Sequence, residues 1–443
     1  MKVLFIYPSM GNQETYRFRV KKDRIKSWSP EPLTIATLNG LTPTEWETGF
    51  FDDRIEKIDY SEECDLVAIT AETFTAKRAY QIASEFRKRG KLVIMGGFHV
   101  SILPEEAQDY CDSVLIGEAE TIWEDILCDT KSGNLKKTYQ SEQSDLSKTR
   151  VDRSIYGKKS YFPITMMETG RGCKFKCDFC SVTLFFKGHY RRRPIDNIVA
   201  EIKESKNKNI MFVDDNICAD FKSAKELLRA LIPLKIKWNS SASVNIVHDK
   251  ELLNLLKESG CQSLLVGFES IDKKNLEAMN KRQNLNQDDV TELIKELYKR
   301  GIKIYGSFVM GYKYENEESA YKTLDFALNN KFVLANFYQL TPLPGTRLYK
   351  KLEQENRLIY KKWWLDPNYS YGEVVFRHEN MDSVVLSNLC KKLRLEFYSF
   401  KSIFKRSFNF GPKRYLFYWV VNLFARKEII KKQGRILGRI KKV

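Results

Sequence analysis

Short apolar runs alternate with helical patterns along most of this chain, and this alternation constrains the fold more than any other feature. Over the first 130 residues, the apolar runs are Val3–Tyr7, Trp46–Phe51, Asp65–Thr70, Leu92–Met95 and Val114–Ile116. Strands that alternate with helices form a parallel sheet with helices packed on its faces. The pattern therefore predicts an α/β domain with a doubly wound parallel sheet over residues 1–135.

A second series of βα units begins after residue 160. Its apolar runs are Ile164–Met167, Ile210–Val213, Ile236–Trp238, Leu264–Phe268, Ile302–Met310 and Leu334–Leu340. Six units are fewer than the eight that close a barrel, so we predict a partial (βα)6 barrel over residues 156–350, with its site at the carboxyl ends of the strands. Residues 136–155, rich in Lys, Ser, Gln and Asp, are predicted to be a linker, and residues 351–443 a C-terminal extension.

The extension ends in a basic, predominantly helical tail. The chain has a formal net charge of +17 at pH 7, and residues 401–443 contain thirteen Lys or Arg against one acid, Glu428. An aromatic, apolar segment, Tyr415–Phe424, lies among these cations, which is typical of contact with an anionic membrane surface. A core helix with its charges on the solvated face explains the tail equally well. Nucleic-acid binding is disfavoured because the tail has no RNA-binding signature.

The cysteines and the N-terminus indicate a cellular compartment. The chain has nine cysteines, an odd number, and they are scattered without the framework of a secreted domain, which indicates a reducing environment. The segment Met1–Pro8 has no cleavage site for a signal peptidase, and no uncharged run approaches the ~20 residues needed to span a bilayer. We therefore expect a cytoplasmic protein, with the tail allowing association with a membrane surface.

A compact cysteine motif follows the first barrel strand. The C-x₃-C-x₂-C motif consists of Cys173, Cys177 and Cys180. Iron–sulfur clusters normally have four thiolate ligands, so three cysteines without a nearby fourth predict a cubane with one iron open to a small molecule. Two other interpretations remain: buried thiols on one helical face, and a zinc site completed by His189. Gly170 and Gly172, just before the motif, favour a loop over a helix.

These residues resemble the radical S-adenosylmethionine superfamily, and the preceding α/β domain resembles that of its cobalamin-binding class. The resemblance covers about residues 1–350. It implies that the three cysteines bind a [4Fe–4S] cluster and that Phe179 lies near the adenine of S-adenosylmethionine. It further implies that the same cofactor contacts the strand ends at Asp214, Asp215, Asn216, Glu269, Met310, Gly311 and Leu343. The polar residues among these also have an ordinary interpretation as helix caps, Asp215 or Asn216 before one helix and Glu269 or Ser270 before another.

In the N-terminal domain, the resemblance rests on two glycine-containing segments, 96–99 and 116–120. The cobalamin contacts that it implies are Ser9, Thr70, Gly96, Gly97, His99, Gly117 and Glu118. The chain has no Asp-x-His-x-x-Gly motif, so cobalamin would bind without the lower axial histidine of the methionine-synthase type. Apart from the resemblance, His99 is better explained as a loop residue that forms hydrogen bonds than as a cobalt ligand. Loss of cobalamin binding, with the sheet kept as a scaffold, stays open.

The resemblance implies a radical enzyme that generates a 5′-deoxyadenosyl radical at a [4Fe–4S] cluster. Its expected activity is cobalamin-dependent methylation of an unactivated carbon in a lipid or secondary metabolite, with electrons from a donor such as flavodoxin or ferredoxin. Radical oxidation, cyclisation or carbon–carbon coupling is one alternative. A metal- or cobalamin-binding regulator without enzymatic activity is another. The aromatic residues Trp363, Trp364, Tyr369 and Tyr371 either line a substrate cavity or complete the core of the barrel.

Overall fold

The computed structural model describes residues 1–10, 18–20, 24–26, 29–407 and 412–431. These residues form two six-stranded parallel sheets with helices packed on them, followed by three C-terminal helices. The predicted fold class, a parallel α/β domain followed by a partial (βα)6 barrel, is confirmed. Residues 408–411 and 432–443 of the basic tail lie outside the described residues.

The N-terminal part contains eight strands and five helices. The strands are β1 (Lys2–Tyr7), β2 (Phe18–Val20), β3 (Arg24–Lys26), β4 (Glu47–Asp52), β5 (Leu66–Thr70), β6 (Leu92–Gly96), β7 (Ser113–Ile116) and β8 (Thr138–Gln140). The helices are α1 (Leu33–Leu41), α2 (Ala76–Arg87), α3 (Phe98–Ile102), α4 (Pro104–Gln108) and α5 (Trp123–Lys131). The sheet has the order β4-β1-β5-β6-β7-β8, and β2 and β3 form a separate antiparallel pair.

This sheet is buried on both faces, as the apolar runs predict. Along β1, Val3 and Phe5 pack in one core and Leu4 and Ile6 in another on the opposite face. The strand β8 lies in the segment whose composition predicts a linker. It pairs with β7 because Tyr139 is buried against the sheet, an isolated apolar anchor that the polar composition around it conceals.

The barrel part contains eight further strands and eight helices. The strands are β9 (Thr165–Met167), β10 (Gly170–Gly172), β11 (Tyr190–Arg192), β12 (Asn209–Phe212), β13 (Lys237–Ala242), β14 (Cys261–Glu269), β15 (Lys303–Met310) and β16 (Leu334–Gln339). The helices are α6 (Ser181–Phe186), α7 (Ile195–Glu204), α8 (Phe221–Leu231), α9 (Lys250–Glu258), α10 (Lys273–Ala278), α11 (Gln287–Lys299), α12 (Glu317–Asn329) and α13 (Arg347–Gln354). The sheet has the parallel order β9-β12-β13-β14-β15-β16, with β9 and β16 at its edges. This is an open barrel with six strands.

The C-terminal extension folds back on both sheets. Its helices are α14 (Ser383–Phe397), α15 (Phe400–Ser407) and α16 (Pro412–Lys431). Before them, Trp363 and Trp364 are buried, but they lie in the core on one face of the N-terminal sheet and not, as was predicted, in the barrel core. The indole of Trp364 donates to Glu106 Oε1 at 2.9 Å, and Arg394 of α14 donates to the Phe337 carbonyl in β16 at 2.6 Å. The extension thus holds the two sheets together.

Within the part of the chain that the structure describes, no helix is long and apolar enough to span a bilayer.

Candidate functional site

A single cavity of about 390 Å³ lies between the carboxyl ends of the two sheets. This volume falls within the range of about 300–1,000 Å³ that is typical of ligand pockets. From the N-terminal sheet, the lining includes Thr70, Glu72, Gly96, Gly97, Phe98, Gly117, Glu118 and Glu120. From the barrel, it includes Glu168, Gly170, Arg171, Phe185, Phe186, Val213 and Asp215. Residues that the sequence assigns to two separate sites therefore share one space.

The cysteine motif lies in a loop whose two ends are joined by the antiparallel ribbon β10–β11. Gly172 has φ of 89°, and a Cβ at this position would collide with the His189 carbonyl of the opposite strand. The loop is fastened to the barrel because the Asp178 amide donates to the Met279 carbonyl at 3.1 Å and the Asn280 side chain to the Lys176 carbonyl at 2.7 Å. Its position relative to the cavity is thus fixed by backbone contacts.

The three thiols of this loop are free, and they act on one another electrostatically. Burial raises the pKa of Cys173, and it raises the pKa of Cys177 to about 11. The nearby Cys180 raises both pKa values further, whereas the ammonium of Lys281 lowers them. Cys173 and Cys177 lie before α6 rather than on a helix face, so the helix interpretation is wrong.

A mononuclear zinc site is not formed in this loop. Among the described residues, no three His, Cys, Asp or Glu side chains converge on one metal ion, and this includes any set that joins the cysteines to His189. A cubane does not require such convergence, because each thiolate binds a different iron atom. Three free thiols in one loop are the donor set that such a cluster needs.

Arg171, two residues before Cys173, binds three carboxylates at once. Its Nε donates to Glu168 at 2.9 Å, and its two terminal nitrogens bind Glu118 at 3.0 Å and Glu120 at 2.5 Å. Glu168 belongs to the barrel, whereas Glu118 and Glu120 follow β7 of the N-terminal sheet. The planar guanidinium suits this multidentate arrangement.

Arg191, opposite Arg171 in the ribbon, binds the same carboxylate of Glu118 at 2.7 Å and the Ser144 carbonyl at 2.5 Å. Burial alone would raise the pKa of Glu118, but the hydrogen bond from Arg191 and the charge of Arg171 lower it below its usual value. The basic run 191–193 is therefore engaged in ion pairs and hydrogen bonds within the protein, including Arg193 with Glu201 at 2.8 Å.

An aromatic stack also joins the cysteine loop to the N-terminal sheet. Phe98, directly after Gly97, stacks on Phe185 of α6 with 4.3 Å between ring centroids, and Phe186 packs on its edge. Gly97 has φ of 101°, and a Cβ there would lie 2.8 Å from the Ala71 carbonyl. Gly97 thus permits the turn that directs Phe98 into the cavity.

The three polar residues after β12 face different surroundings. Asp214 is buried and accepts hydrogen bonds from the Thr169 amide at 2.7 Å and hydroxyl at 2.5 Å, and burial raises its pKa to about 6. Asn216 donates to Ser243 at 3.0 Å and does not line the cavity. Only Asp215 projects into the cavity, where it accepts from the Gly172 amide at 3.1 Å. Limited hydration raises the pKa of Asp215 to about 6.

Neither Asp215 nor Asn216 caps the following helix. Asp220 does so by accepting from the Ser223 amide, and Asp272, not Glu269 or Ser270, caps α10. The helix-cap interpretation of the predicted site residues is therefore wrong.

Glu269, at the end of β14, forms an ion pair with Lys281 at 2.8 Å, and both side chains are nearly buried. Glu269 has φ of 62°, which is unusual for a residue with a side chain. A Cβ at Gly267 would collide with the Glu269 carboxylate and lie 3.0 Å from Lys281 Nζ. Burial lowers the pKa of Lys281, but Glu269 and the cysteines Cys177 and Cys180 raise it above its usual value. This cation is therefore adjacent to the cysteine loop.

The remaining barrel candidates lie farther from the lining of the cavity. Met310 is fully buried at the end of β15, and Gly311 follows it with φ of 100°, against Leu386 of α14. Leu343 packs against the core of the N-terminal sheet, and Phe179 packs against the barrel core. None of the four lines the cavity described above.

Five of the seven candidates in the N-terminal domain line the cavity: Thr70, Gly96, Gly97, Gly117 and Glu118. Ser9 does not, because it donates from both its amide and hydroxyl to Asp53. His99 is fully buried behind the cavity wall, with Thr73 at 3.3 Å and Glu106 at 3.1 Å. Burial would raise the pKa of Glu106, but hydrogen bonds from His99, Trp364 and Lys362 lower it to about 2.

Sequence reasoning did not assign a role to Glu72, Phe98, Arg171 or Lys281. Arg171 lies two residues before the cysteine motif and Phe98 directly after Gly97, so both could have been found by their position next to residues that the sequence already assigns to a site. Glu72 also lines the cavity, two residues after Thr70, and burial raises its pKa. No sequence pattern points to Lys281, which approaches the cysteines only through the fold.

Comparison with known proteins agrees with this geometry. The Radical SAM superfamily model matches residues 167–327. Bacteriochlorophyllide d C-12(1)-methyltransferase of Chlorobaculum tepidum is 30% identical over 414 residues, which cover 89% of each chain. Bacteriochlorophyllide d C-8(2)-methyltransferase of the same organism is 29% identical over 406 residues, 86% of this chain and 88% of that protein.

A solved structure shows the same fold. The cobalamin-dependent S-adenosylmethionine radical enzyme OxsB, with aqua-cobalamin and S-adenosylmethionine bound, superposes with a TM-score of 0.67 at 13% identity, covering 97% of this chain and 72% of that chain. The fold and the cysteine loop define a radical S-adenosylmethionine enzyme. The chain belongs to the class of this superfamily that has an N-terminal cobalamin-binding-like domain.

Proposed function

We propose that this enzyme is a cobalamin-dependent C-methyltransferase that acts on an unactivated carbon. The observation that carries the proposal is one cavity that is lined both by strand ends of the N-terminal sheet and by barrel residues flanking the cysteine motif, among them Gly170, Arg171, Phe185 and Phe186. A methyl carrier on one side and a radical source on the other would both reach an acceptor held between them. Two relatives of this chain are named as bacteriochlorophyllide methyltransferases, and this supports the same reaction class.

The residues present fit a [4Fe–4S] cluster and S-adenosylmethionine. Cys173, Cys177 and Cys180 are free thiols in one loop and would bind three irons, which leaves one iron for the amino and carboxylate groups of S-adenosylmethionine. Asp215, open to the cavity, would accept a hydrogen bond from the amino group. Glu269, at a strand end beside the same loop, would contact the ribose.

The N-terminal wall of the cavity fits cobalamin without a histidine ligand from the protein. Gly96, Gly97 and Gly117 leave the strand ends open, and the polar Thr70 and Glu118 line the same wall. His99 is fully buried and engaged by Glu106, so it would not reach a cobalt atom in the cavity. This agrees with the absence of an Asp-x-His-x-x-Gly motif.

When bound, the reduced cluster supplies the electron that cleaves S-adenosylmethionine, and cobalamin supplies a methyl carrier. The protein's own residues hold these groups and exclude water. Phe98, Phe185 and Phe186 form an apolar wall that would keep stray hydrogen donors away from a radical. Arg171 fixes the distance between the cysteine loop and the N-terminal wall through Glu118 and Glu120.

We infer three kinds of partner. The acceptor is a small molecule or a lipid, since the cavity is enclosed by side chains of both sheets. The electron donor is a low-potential protein such as flavodoxin or ferredoxin, because a cluster that cleaves S-adenosylmethionine has to be reduced first. Residues 401–443 provide peripheral contact with a membrane.

Anaerobic reconstitution tests the proposal. The protein would be loaded with iron, sulfide and cobalamin, then incubated with a reductant, S-adenosylmethionine labelled in its methyl group, and an extract of the source cells. We expect 5′-deoxyadenosine together with a product that has gained one labelled CH₂ unit. A product that has lost hydrogen and carries no label would favour oxidation or cyclisation instead.

A further inference from the structure

The outer surface of α15 and α16 exposes apolar side chains. We call this surface the C-terminal face and define it by six residues that are 39% to 73% exposed: Phe400, Phe404, Leu416, Val420, Leu423 and Ile430. The scattered exposure of single apolar residues is ordinary, but a contiguous exposed patch marks an interaction site. The spacing and neighbours of these residues decide which kind of patch they form.

Along α16, the exposed apolar residues lie on one side of the helix, and the exposed Lys427 lies among them. Leu416, Val420, Leu423 and Ile430 recur at separations of three, four or seven, which places them on one side of the helix. Tyr418 and Asn422, on the opposite side, are fully buried. A helix that merely packs on a barrel should present polar residues outward. The core-helix interpretation therefore explains the inner side of α16 but leaves its outer side unexplained.

Helix α15 extends this side of α16 into a wider surface. Phe400 and Phe404 are one turn apart, and both are more than half exposed. The guanidinium of Arg426 from α16 lies 4.3 Å from the centroid of the Phe400 ring, so the exposed sides of the two helices adjoin. The apolar surface therefore includes a cation next to Phe400.

A buried arginine holds the C-terminal face against the barrel. Arg406 is 1% exposed; it donates to the Phe332 carbonyl at 2.7 Å and to Asn422 Oδ1 of α16 at 3.1 Å. Tyr418 of α16 donates to the Ile403 carbonyl of α15 at 2.7 Å. Both helices are therefore fixed to the edge of the barrel sheet, and their apolar surface has a defined orientation.

The charge of this region identifies its partner. Lys401, Lys405, Arg426 and Lys427 accompany the apolar residues, and residues 401–443 contain one acid against thirteen cations. A symmetric contact with a second copy would bring these cations together, which is unfavourable. Aliphatic side chains cannot stack on bases, so single-stranded nucleic acid would gain little from Leu416, Val420 and Leu423.

We propose that the C-terminal face docks on an anionic membrane surface, with its apolar side chains in the headgroup region and its cations on the lipid phosphates. The docking proposal adds a partner to the proposed function. It rests on the proposed function only in assuming that the acceptor is lipid-like. A docked enzyme would meet such an acceptor in the bilayer rather than in water. The docking itself needs no catalysis, so it is tested separately.

Vesicle sedimentation with the full-length, cluster-loaded protein tests the docking. We expect the protein to sediment with vesicles of phosphatidylcholine and phosphatidylglycerol in equal parts with at least about tenfold higher affinity than with phosphatidylcholine alone. Added salt should weaken this binding, because it screens the lipid charge. Equal sedimentation with both vesicles, or none with either, would overturn the proposal.

Two sets of variants locate the binding surface. The double variant Val420→Asp and Leu423→Asp should reduce the affinity for the anionic vesicles about tenfold or more. The double variant Lys401→Glu and Lys405→Glu leaves the apolar residues unchanged, and it should also reduce this affinity. Ile232→Asp, at an exposed apolar position in the turn after α8, is the matched control and should bind as the unaltered protein does. Unchanged iron content would show that each variant is folded.

The remaining outcomes are also decisive. A dimer that Val420→Asp with Leu423→Asp converts to a monomer, without vesicle binding, would assign the face to a second copy and overturn the proposal. Binding of a single-stranded oligonucleotide in place of vesicles would overturn it as well. Vesicle binding without methyl transfer would contradict the proposed function and leave the docking proposal supported.

Discussion

The guanidinium of Arg171 binds the carboxylate of Glu118 at 3.0 Å, and this ion pair connects the ribbon that holds the cysteine loop to the end of β7. The two side chains are 15% and 6% exposed, so water screens their interaction weakly. Both residues line the cavity. The distance between the two halves of the site is thus set by a contact made inside the site itself.

Replacement of Arg171 by Met should destabilise the protein. The change leaves Glu118, Glu120 and Glu168 together without their shared cation, although Arg191 still binds Glu118. Breaking a buried pair in this way typically costs about 3–5 kcal/mol. A fall in the thermal unfolding midpoint measures the effect. Arg89→Met, which removes an exposed ion pair with Glu85, is the control and should cost about 1 kcal/mol or less.

Replacement of any cysteine of the motif by Ser should abolish the cluster. A cubane held by three thiolates does not survive the loss of one, so iron should fall from about four atoms per chain toward zero for Cys173→Ser, Cys177→Ser and Cys180→Ser. Cys128→Ser, at an exposed cysteine on α5, should keep full iron content. A motif variant with unchanged iron would contradict the ligand assignment.

Addition of a methyl group at Gly267 should disturb the site without changing any charge. In Gly267→Ala, the new Cβ pushes against Glu269 and Lys281, whose ion pair lies beside the cysteine loop. A displacement of about 1 Å in such a site can cost about 10²-fold in rate, so we expect a loss of that order in 5′-deoxyadenosine formation. If this variant formed 5′-deoxyadenosine at the wild-type rate with unchanged iron content, Glu269 would not be part of the site.

Glu315 makes the stability of the protein depend on pH. This side chain is 1% exposed and follows β15, and burial raises its pKa to about 7 against a hydrogen bond from Ser319. The folded state therefore retains a proton that the unfolded state loses, so Glu315 reduces stability progressively as pH rises from about 4.5 to about 7.

Glu315→Gln should remove this pH dependence. At pH 8, the variant should be more stable than the unaltered protein by about 2–3 kcal/mol, whereas at pH 4.5 the two should be nearly equal. Thermal unfolding at both pH values measures the difference. A variant that is less stable at pH 8 would show that the Glu315 carboxylate is ionised and paired in the folded protein.

Except for β8, the strands of both sheets could be predicted from sequence, because an apolar run with a helical pattern after it marks each of them. The position of the cysteine loop followed from the same pattern, since a loop after β9 must lie at the carboxyl edge of the barrel. The strand β8 was missed because Tyr139 is a single buried residue within a polar segment.

Contacts between distant parts of the chain could not be predicted. Two of the carboxylates that bind Arg171, those of Glu118 and Glu120, follow β7 and precede it by about fifty residues, and Trp364 reaches Glu106 across 258 residues. The orientation of Asp214, Asp215 and Asn216 was equally hidden, because they follow the end of β12, where the strict alternation of side chains no longer applies. Only the folded chain shows that Asp215 alone faces the cavity.

The central claim is that three thiolates hold a cluster with one iron open to S-adenosylmethionine. Electron paramagnetic resonance of the anaerobically reconstituted and reduced protein, before and after addition of S-adenosylmethionine, tests it most directly. We predict the signal of a reduced [4Fe–4S] cluster, with about four irons and about four sulfides per chain, and a change in that signal when S-adenosylmethionine binds the open iron. Stoichiometric zinc without sulfide, or a cluster signal that S-adenosylmethionine leaves unchanged, would contradict the claim.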